Sequence, residues 1–184
     1  MDTFKSNYPV ISTILFVVFI FVAHFFAPNN YDWTKNTISD LGSQGYDKRL
    51  IMQSGFLVFG LILSFGILLN GVTWQTTPVL IYGLCVSLTG IFCAKPFSDF
   101  QTYSITQATL HSIFAQIAGV AFCIGIITQI FFTTNYHLKL IHLVFLILVV
   151  GCSVTFGLFK NSQGIAQRFL YLISFIWLGK YYKP

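Results

Sequence analysis

Six apolar runs, each long enough to cross a bilayer, account for most of this chain, at roughly residues 8–27, 51–70, 78–94, 110–133, 138–159 and 165–182. A hydrocarbon core about 30 Å thick calls for about 20 consecutive apolar residues, because a helix rises about 1.5 Å per residue. Runs this long and unbroken do not suit the alternating strands of a membrane barrel. The expected fold class is therefore all-α: one domain over residues 1–184, an integral membrane bundle of six transmembrane helices. The first run follows Met1, Asp2 and Lys5 in the manner of a signal peptide. It ends, however, in His24-Phe25-Phe26 rather than a small-residue cleavage pattern, so it reads as a retained first helix.

Charge agrees with this reading. Only 8% of the 184 residues are charged, against about 25% in a soluble domain. Such a chain has no water-compatible surface, which excludes a cytosolic enzyme, a nucleic-acid module and a disordered tail. The formal charge of +5 comes from basic residues scattered singly, with no stripe to follow a phosphate backbone. Nucleic acid is thus not an expected partner, whereas membrane lipid is, and the expected location is a cell membrane, crossed several times. Cys85, Cys93, Cys123 and Cys152 lie inside apolar runs and read as small buried hydrophobes rather than a disulfide framework.

The connections are unequal. Those around residues 71–77 and 133–136 are short, while 28–50, 95–109 and 160–167 hold nearly all the polar residues. Alternation of six spans puts these three on one side of the membrane. That side carries Lys35, Lys48, Arg49, Lys95, Lys160 and Arg168, against Lys5, Lys139, Lys180 and Lys183 on the other. A bare Lys/Arg count places the polar side in the cytoplasm. Trp33, Trp74, Tyr136, Trp177, Tyr181 and Tyr182 fall near predicted helix ends, where amphipathic rings favour the headgroup zone.

Chemistry, if any, is sought on the polar side. Thr37-Ile38-Ser39-Asp40-Leu41-Gly42 has the grammar of a short helix start closed by glycine, so Ser39 and Asp40 either cap backbone amides or hold a carboxylate at the bundle mouth. The second polar connection contains Asp99 and leads to His111, expected to open the fourth helix with Gln107 one turn earlier. An imidazole and a carboxylate so placed form either an acid–base or ligand pair or a hydrogen bond that pins the loop. His24, His111, Asp40 and Asp99 are ligand types suited to zinc, but no local spacing supports a metal site, and neither a metal nor a cofactor is expected. His137 and His142 are five apart and on the opposite side, which is not the pairing a helix uses for a metal. Arg168 reads as a snorkelling anchor or as the binding group for an anionic headgroup. No nucleophile elbow, Walker loop, dinucleotide fingerprint or zincin motif occurs, nor a pair of interrupted helices of the transporter kind.

Four motifs in order carry a resemblance. Ser39-Asp40-Leu41 follows the first run, Gly55-Phe56 and Gly60 mark the second, Asp99 precedes Thr109-Leu110-His111, and Gln167-Arg168 leads to Trp177. Over nearly its whole length the chain resembles the prokaryotic membrane family called domain of unknown function 998. The resemblance implies a polytopic membrane protein and brings no activity. It also implies termini inside and polar loops outside, the orientation followed here against the bare charge count. Family members often read Phe-Pro-x-Asp where this chain has Lys95-Pro96-Phe97-Ser98-Asp99.

Three readings follow. In the first, a polar pocket lined by Ser39, Asp40, Asp99, His111 and Arg168 binds a lipid headgroup or a similar small amphiphile. In the second, the protein is an intramembrane hydrolase with His111 as base, Asp99 as its orienter, and Ser39 or a metal-bound water as nucleophile. In the third, it is a proton-coupled transporter or permease subunit with His and Asp as relay groups.

Overall fold

The computed structural model describes residues 2–97 and 102–183. Six α-helices form the bundle: α1 (Asp2–Phe25), α2 (Arg49–Asn70), α3 (Thr77–Ile91), α4 (Ile105–Phe132), α5 (Tyr136–Leu158) and α6 (Gln163–Ile176). A 3-10 turn at Ile38–Gly42 lies between α1 and α2, another at Lys160–Ser162 precedes α6, and a π-turn at Trp177–Tyr181 extends α6. Among the described residues there are no strands. Helices consecutive in sequence pack on one another, and the π-turn returns to α1. By length and composition α1, α2, α4 and α5 can each cross a membrane, and α3 is a shorter apolar helix. The fourteen residues of α6 and five of its π-turn together reach roughly 28 Å.

Several helix ends differ from the expected ones, each for a local reason. Helix α1 begins at Asp2 rather than near residue 8 and carries Pro9 inside it. Proline has no N–H, which leaves the carbonyl four residues earlier without its helical donor. The Asn70 side-chain amide takes that place, donating to the Lys5 carbonyl at 2.9 Å. Helix α3 stops at Ile91 rather than 94. Helix α4 starts at Ile105, capped by Ser104, whose hydroxyl accepts from the Gln107 amide. His111 therefore does not open α4; it lies nearly two turns inside it, buried.

Helix α2 is the most enclosed. Phe56, Phe59, Leu63 and Ile67 are fully covered, and the ring of Phe16 of α1 packs, tilted, at 5.2 Å from Phe56 and 5.0 Å from Phe59. In a bilayer lipid tails are as apolar as leucine, so helices associate through close packing and small residues rather than through the hydrophobic effect. The α2–α3 seam is built that way: Gly60 and Ser64 face Gly83 and Ser87. Of the residues expected in an aromatic belt, Trp33, Trp74 and Tyr136 are exposed, whereas Trp177 and Tyr182 are buried and do not belong to one. The π-turn widens the end of α6 and directs Trp177 inward, where its Nε1–H donates to His142 Nδ1 at 3.0 Å.

Candidate functional site

The three polar connections meet at one end of the bundle, and the first of them organises the other two. Gln44 donates its backbone N–H to the Ala94 carbonyl at 3.0 Å, and its side-chain amide exchanges two hydrogen bonds with the backbone of Ser104. On the other flank, the orphan amides that begin α6 are satisfied by the same loop: Gly164 N–H donates to Lys35 O at 3.0 Å and Ile165 N–H to Thr34 O at 3.1 Å. The approach is backbone on backbone, and a Cβ on Gly164 would overlap the carbonyl oxygens of Asn36 and Trp33.

The Thr37–Asp40 segment is a capping box. The Thr37 hydroxyl accepts from Asp40 N–H at 3.1 Å, and the Asp40 carboxyl accepts from Thr37 N–H at 2.7 Å. Gln167 of α6 holds the same turn from outside: its Oε1 accepts from Ile38 N–H at 2.6 Å and its Nε2 donates to the Ser39 hydroxyl at 3.3 Å. Asp40 thus caps a backbone amide, as one alternative of the sequence reading has it, whereas the Ser39 hydroxyl caps none and accepts instead from Gln167.

One residue further on, Arg168 is the centre of the assembly. Its Nη1 donates to the carbonyls of Asn36 at 3.0 Å and Gly164 at 2.8 Å; its Nη2 donates to His24 Nε2 at 2.6 Å and to the Tyr31 hydroxyl at 2.7 Å. The guanidinium has no lone pair to offer, so His24 must accept at Nε2 and carry its proton on Nδ1. That nitrogen accordingly donates to the Ile20 carbonyl at 2.8 Å. Tyr31 in turn donates to Thr37 O at 2.8 Å. The rings of Tyr31 and Trp33 lie 5.9 and 6.0 Å from the guanidinium carbon. Burial pushes the Tyr31 phenol up to about 12, with Arg168 pulling it partly back, so the phenol is neutral.

Every one of these partners is uncharged. Among the described residues the single ion pair joins Lys35 to Asp32 at 3.4 Å on the exposed part of the loop. Among the described residues Arg168 therefore presents a half-buried positive charge with no carboxylate paired to it, and its Nε–H makes no hydrogen bond.

Other expected site residues are elsewhere. His111 lies against the end of α3, where its Nδ1–H is shared between the carbonyls of Phe92 at 2.8 Å and Thr89 at 3.1 Å. It stands edge-on to Phe56 and shares no hydrogen bond with Ser39. Asp40 lies within electrostatic range of His111, Lys95 and Tyr31, which makes it the link between the Arg168 cluster and the α3–α4 side. Asp99 lies outside the described residues. Among the described residues no three His, Cys, Asp or Glu side chains converge as metal ligands. His24 in particular spends its free ring nitrogen on the guanidinium.

Burial raises the Asp40 carboxyl above its ordinary value, and its hydrogen bonds with Thr37 and Asn36 and the charge of Lys95 only partly counter this. A raised folded-state value stabilises the fold below the ordinary range near 3.9 and is lost as pH rises through the folded value. Asp40→Asn removes that pH-dependent loss while keeping an oxygen for Thr37 N–H. Thermal unfolding at pH 7 should show Asp40→Asn at least as stable as the parent and Asp40→Ala less stable by about 1 kcal/mol, the value of a lost cap.

An all-helical bundle with apolar spans and a polar assembly gathered at one end defines a polytopic membrane protein. The chain belongs to the DUF998 family, described as protein of unknown function, whose profile matches residues 10–180. No curated protein and no solved structure shows detectable similarity to it.

Proposed function

We propose that the loop end of this membrane protein binds the anionic headgroup of a membrane lipid or a similar amphiphile, with Arg168 as the binding group. The observation that carries this reading is the half-buried guanidinium whose described partners are all neutral. A half-buried cation that no described carboxylate pairs favours an incoming anion, and a phosphate or carboxylate suits the guanidinium fork. Tyr31 and the exposed Trp33 flank it with faces suited to the headgroup zone. The hydrolase reading has no such support, since Ser39 and His111 spend their hydrogen bonds on different partners.

The test is lipid retention, measured by native mass spectrometry of protein released from nanodiscs that contain phosphatidylglycerol and phosphatidylcholine. The parent should retain phosphatidylglycerol preferentially. Arg168→Gln should lower that preference roughly tenfold or more, the consequence of losing a charge-assisted hydrogen bond. Millimolar inorganic phosphate that displaces the retained lipid would assign the site to the anion alone. Equal retention of both lipids by a folded parent would overturn the proposal.

A further inference from the structure

The guanidinium of Arg168 has no edge wholly free for an anion. Among the described residues, both N–H groups of Nη1 go to the carbonyls of Asn36 and Gly164, and both of Nη2 go to His24 Nε2 and the Tyr31 hydroxyl; only Nε–H is uncommitted. A phosphate or carboxylate held by two parallel hydrogen bonds takes either the Nε–Nη2 edge or the Nη1–Nη2 edge. Both edges include Nη2. An anion gripped in this way therefore displaces His24 or Tyr31 from the cation.

The two acceptors differ in what they do once released. The Tyr31 hydroxyl keeps its proton in the bond to the Thr37 carbonyl at 2.8 Å, and a phenol takes up no second one. His24 has a further state. Its Nδ1–H is fixed on the Ile20 carbonyl at 2.8 Å, and its Nε2 lone pair receives Nη2–H at 2.6 Å, which holds the imidazole neutral. A proton on Nε2 would set N–H against N–H and one cation beside another. An anion oxygen that replaces His24 on Nη2 lies between the two side chains and reverses that sign. A protonated Nε2 then donates to the same anion in a second charge-assisted bond.

We infer that His24 is the second binding group of this site, and that an anion docks on Arg168 together with a proton taken from solvent by His24 Nε2. The inference rests on the anion-binding reading above and adds the pH dependence of that site. No bond in the lipid is broken; one negative headgroup and one proton enter together, so the net charge of the site is unchanged. The titratable and charged groups that face the imidazole are Arg168 of α6 and Tyr31 of the first loop, whose ring stands edge-on at 5.7 Å. Of the other elements packed on α1, α2 begins at Arg49, the 3-10 turn carries Asp40 and the π-turn carries Lys180, and none of these bonds to His24. Binding that takes up a proton strengthens as pH falls, and by reciprocity the bound anion tightens the hold of His24 on its proton by the same factor.

The test is isothermal titration calorimetry of the full chain in non-ionic detergent with short-chain phosphatidylglycerol, between about pH 8 and pH 5, where an imidazole changes charge. Two buffers of different ionisation enthalpy at each pH give the protons exchanged. The phosphodiester keeps its single charge throughout, so any proton taken up belongs to the protein. Parent affinity should rise toward acid by up to about tenfold per pH unit, with as much as one proton taken up per lipid. His24→Gln, whose amide oxygen still accepts from Nη2, should bind equally at every pH and take up none. Preferential binding by the parent that is flat with pH and exchanges no proton would overturn the inference while the anion site stands. Uptake that persists in His24→Gln would overturn it as well, and should that variant not fold, the proton count of the parent decides. Equal binding of phosphatidylglycerol and phosphatidylcholine of the same chain length at every pH would overturn both readings.

Discussion

Gly60→Val is expected to be the most damaging single substitution in the bundle. Glycine inside a helix is ordinarily a liability of about 1 kcal/mol relative to alanine. Propensity alone therefore predicts a gain from any larger residue. The packing decides otherwise. A Cβ at residue 60 would overlap the Gly83 carbonyl oxygen and the Ser87 hydroxyl, and would come within 2.7 Å of Ser87 N. Two of those three atoms are backbone and cannot swing aside. Ser87 is also bonded across the seam, to the Leu57 carbonyl at 3.5 Å. Relief requires α3 to move away from α2 and forfeit the contacts that hold the pair in lipid. The loss belongs at the upper end of overpacking effects, about 3 kcal/mol or more. Denaturant titration in mixed micelles, followed by tryptophan emission, would read it. A variant as stable as the parent would mean that the close approach of Gly60 to α3 does not hold the α2–α3 seam together.

How much of this was legible beforehand differs between fold and site, and the reason is range. The six helices were legible because each is a long apolar run, and a bilayer imposes a length on every crossing that α1, α2, α4 and α5 meet by length and composition. The turn at Thr37–Gly42 and the capping role of Asp40 were legible too, but Thr37 rather than Ser39 is the other half of the box. Arg168 and Gln167 stood out as polar residues before an apolar run, but their partners could not. His24 is 144 residues from Arg168 in sequence, Tyr31 is 137, and Ser39 is 128 from Gln167. Only the docking of α6 on the first loop brings them together. The aromatic pair Tyr31 and Trp33, two residues apart in the first polar loop, was a local signal that a cation would be seated there. His111 misled for a different reason. The polar start of α4 hid its first turn, so a residue that ties down the end of α3 looked like one placed at a mouth. Trp177 misled because periodicity cannot foresee a π-turn that rotates a ring from the interface into the core.

Gly164→Ala separates the chemistry of the Arg168 site from its geometry. The substitution leaves His24, Tyr31, Asn36, Gln167 and Arg168 chemically intact. What it removes is the closeness of α6 to the first loop, because a Cβ at residue 164 would overlap the carbonyl oxygens of Asn36 and Trp33 and lie 2.9 Å from the Thr34 carbonyl carbon. Asn36 O is also an acceptor for Arg168 Nη1, so the displaced strand of loop is the one that seats the guanidinium. Alanine contributes about 1 kcal/mol of helix propensity, whereas overpacking against backbone costs 1–3 kcal/mol and the two hydrogen bonds from Gly164 and Ile165 to the loop are lengthened as well. Their net worth is about 1 kcal/mol each, so the balance is a loss of about 2 kcal/mol, confined to the loop end. Hydrogen exchange should show the amides of Gly164 and Ile165 opening while those of α2 and α3 stay protected. Retention of phosphatidylglycerol should fall toward that of Arg168→Gln although every side chain of the site is present. If retention survives while these amides open, the headgroup is held by charge alone, and the seat made by Tyr31, Asn36 and α6 contributes nothing to binding.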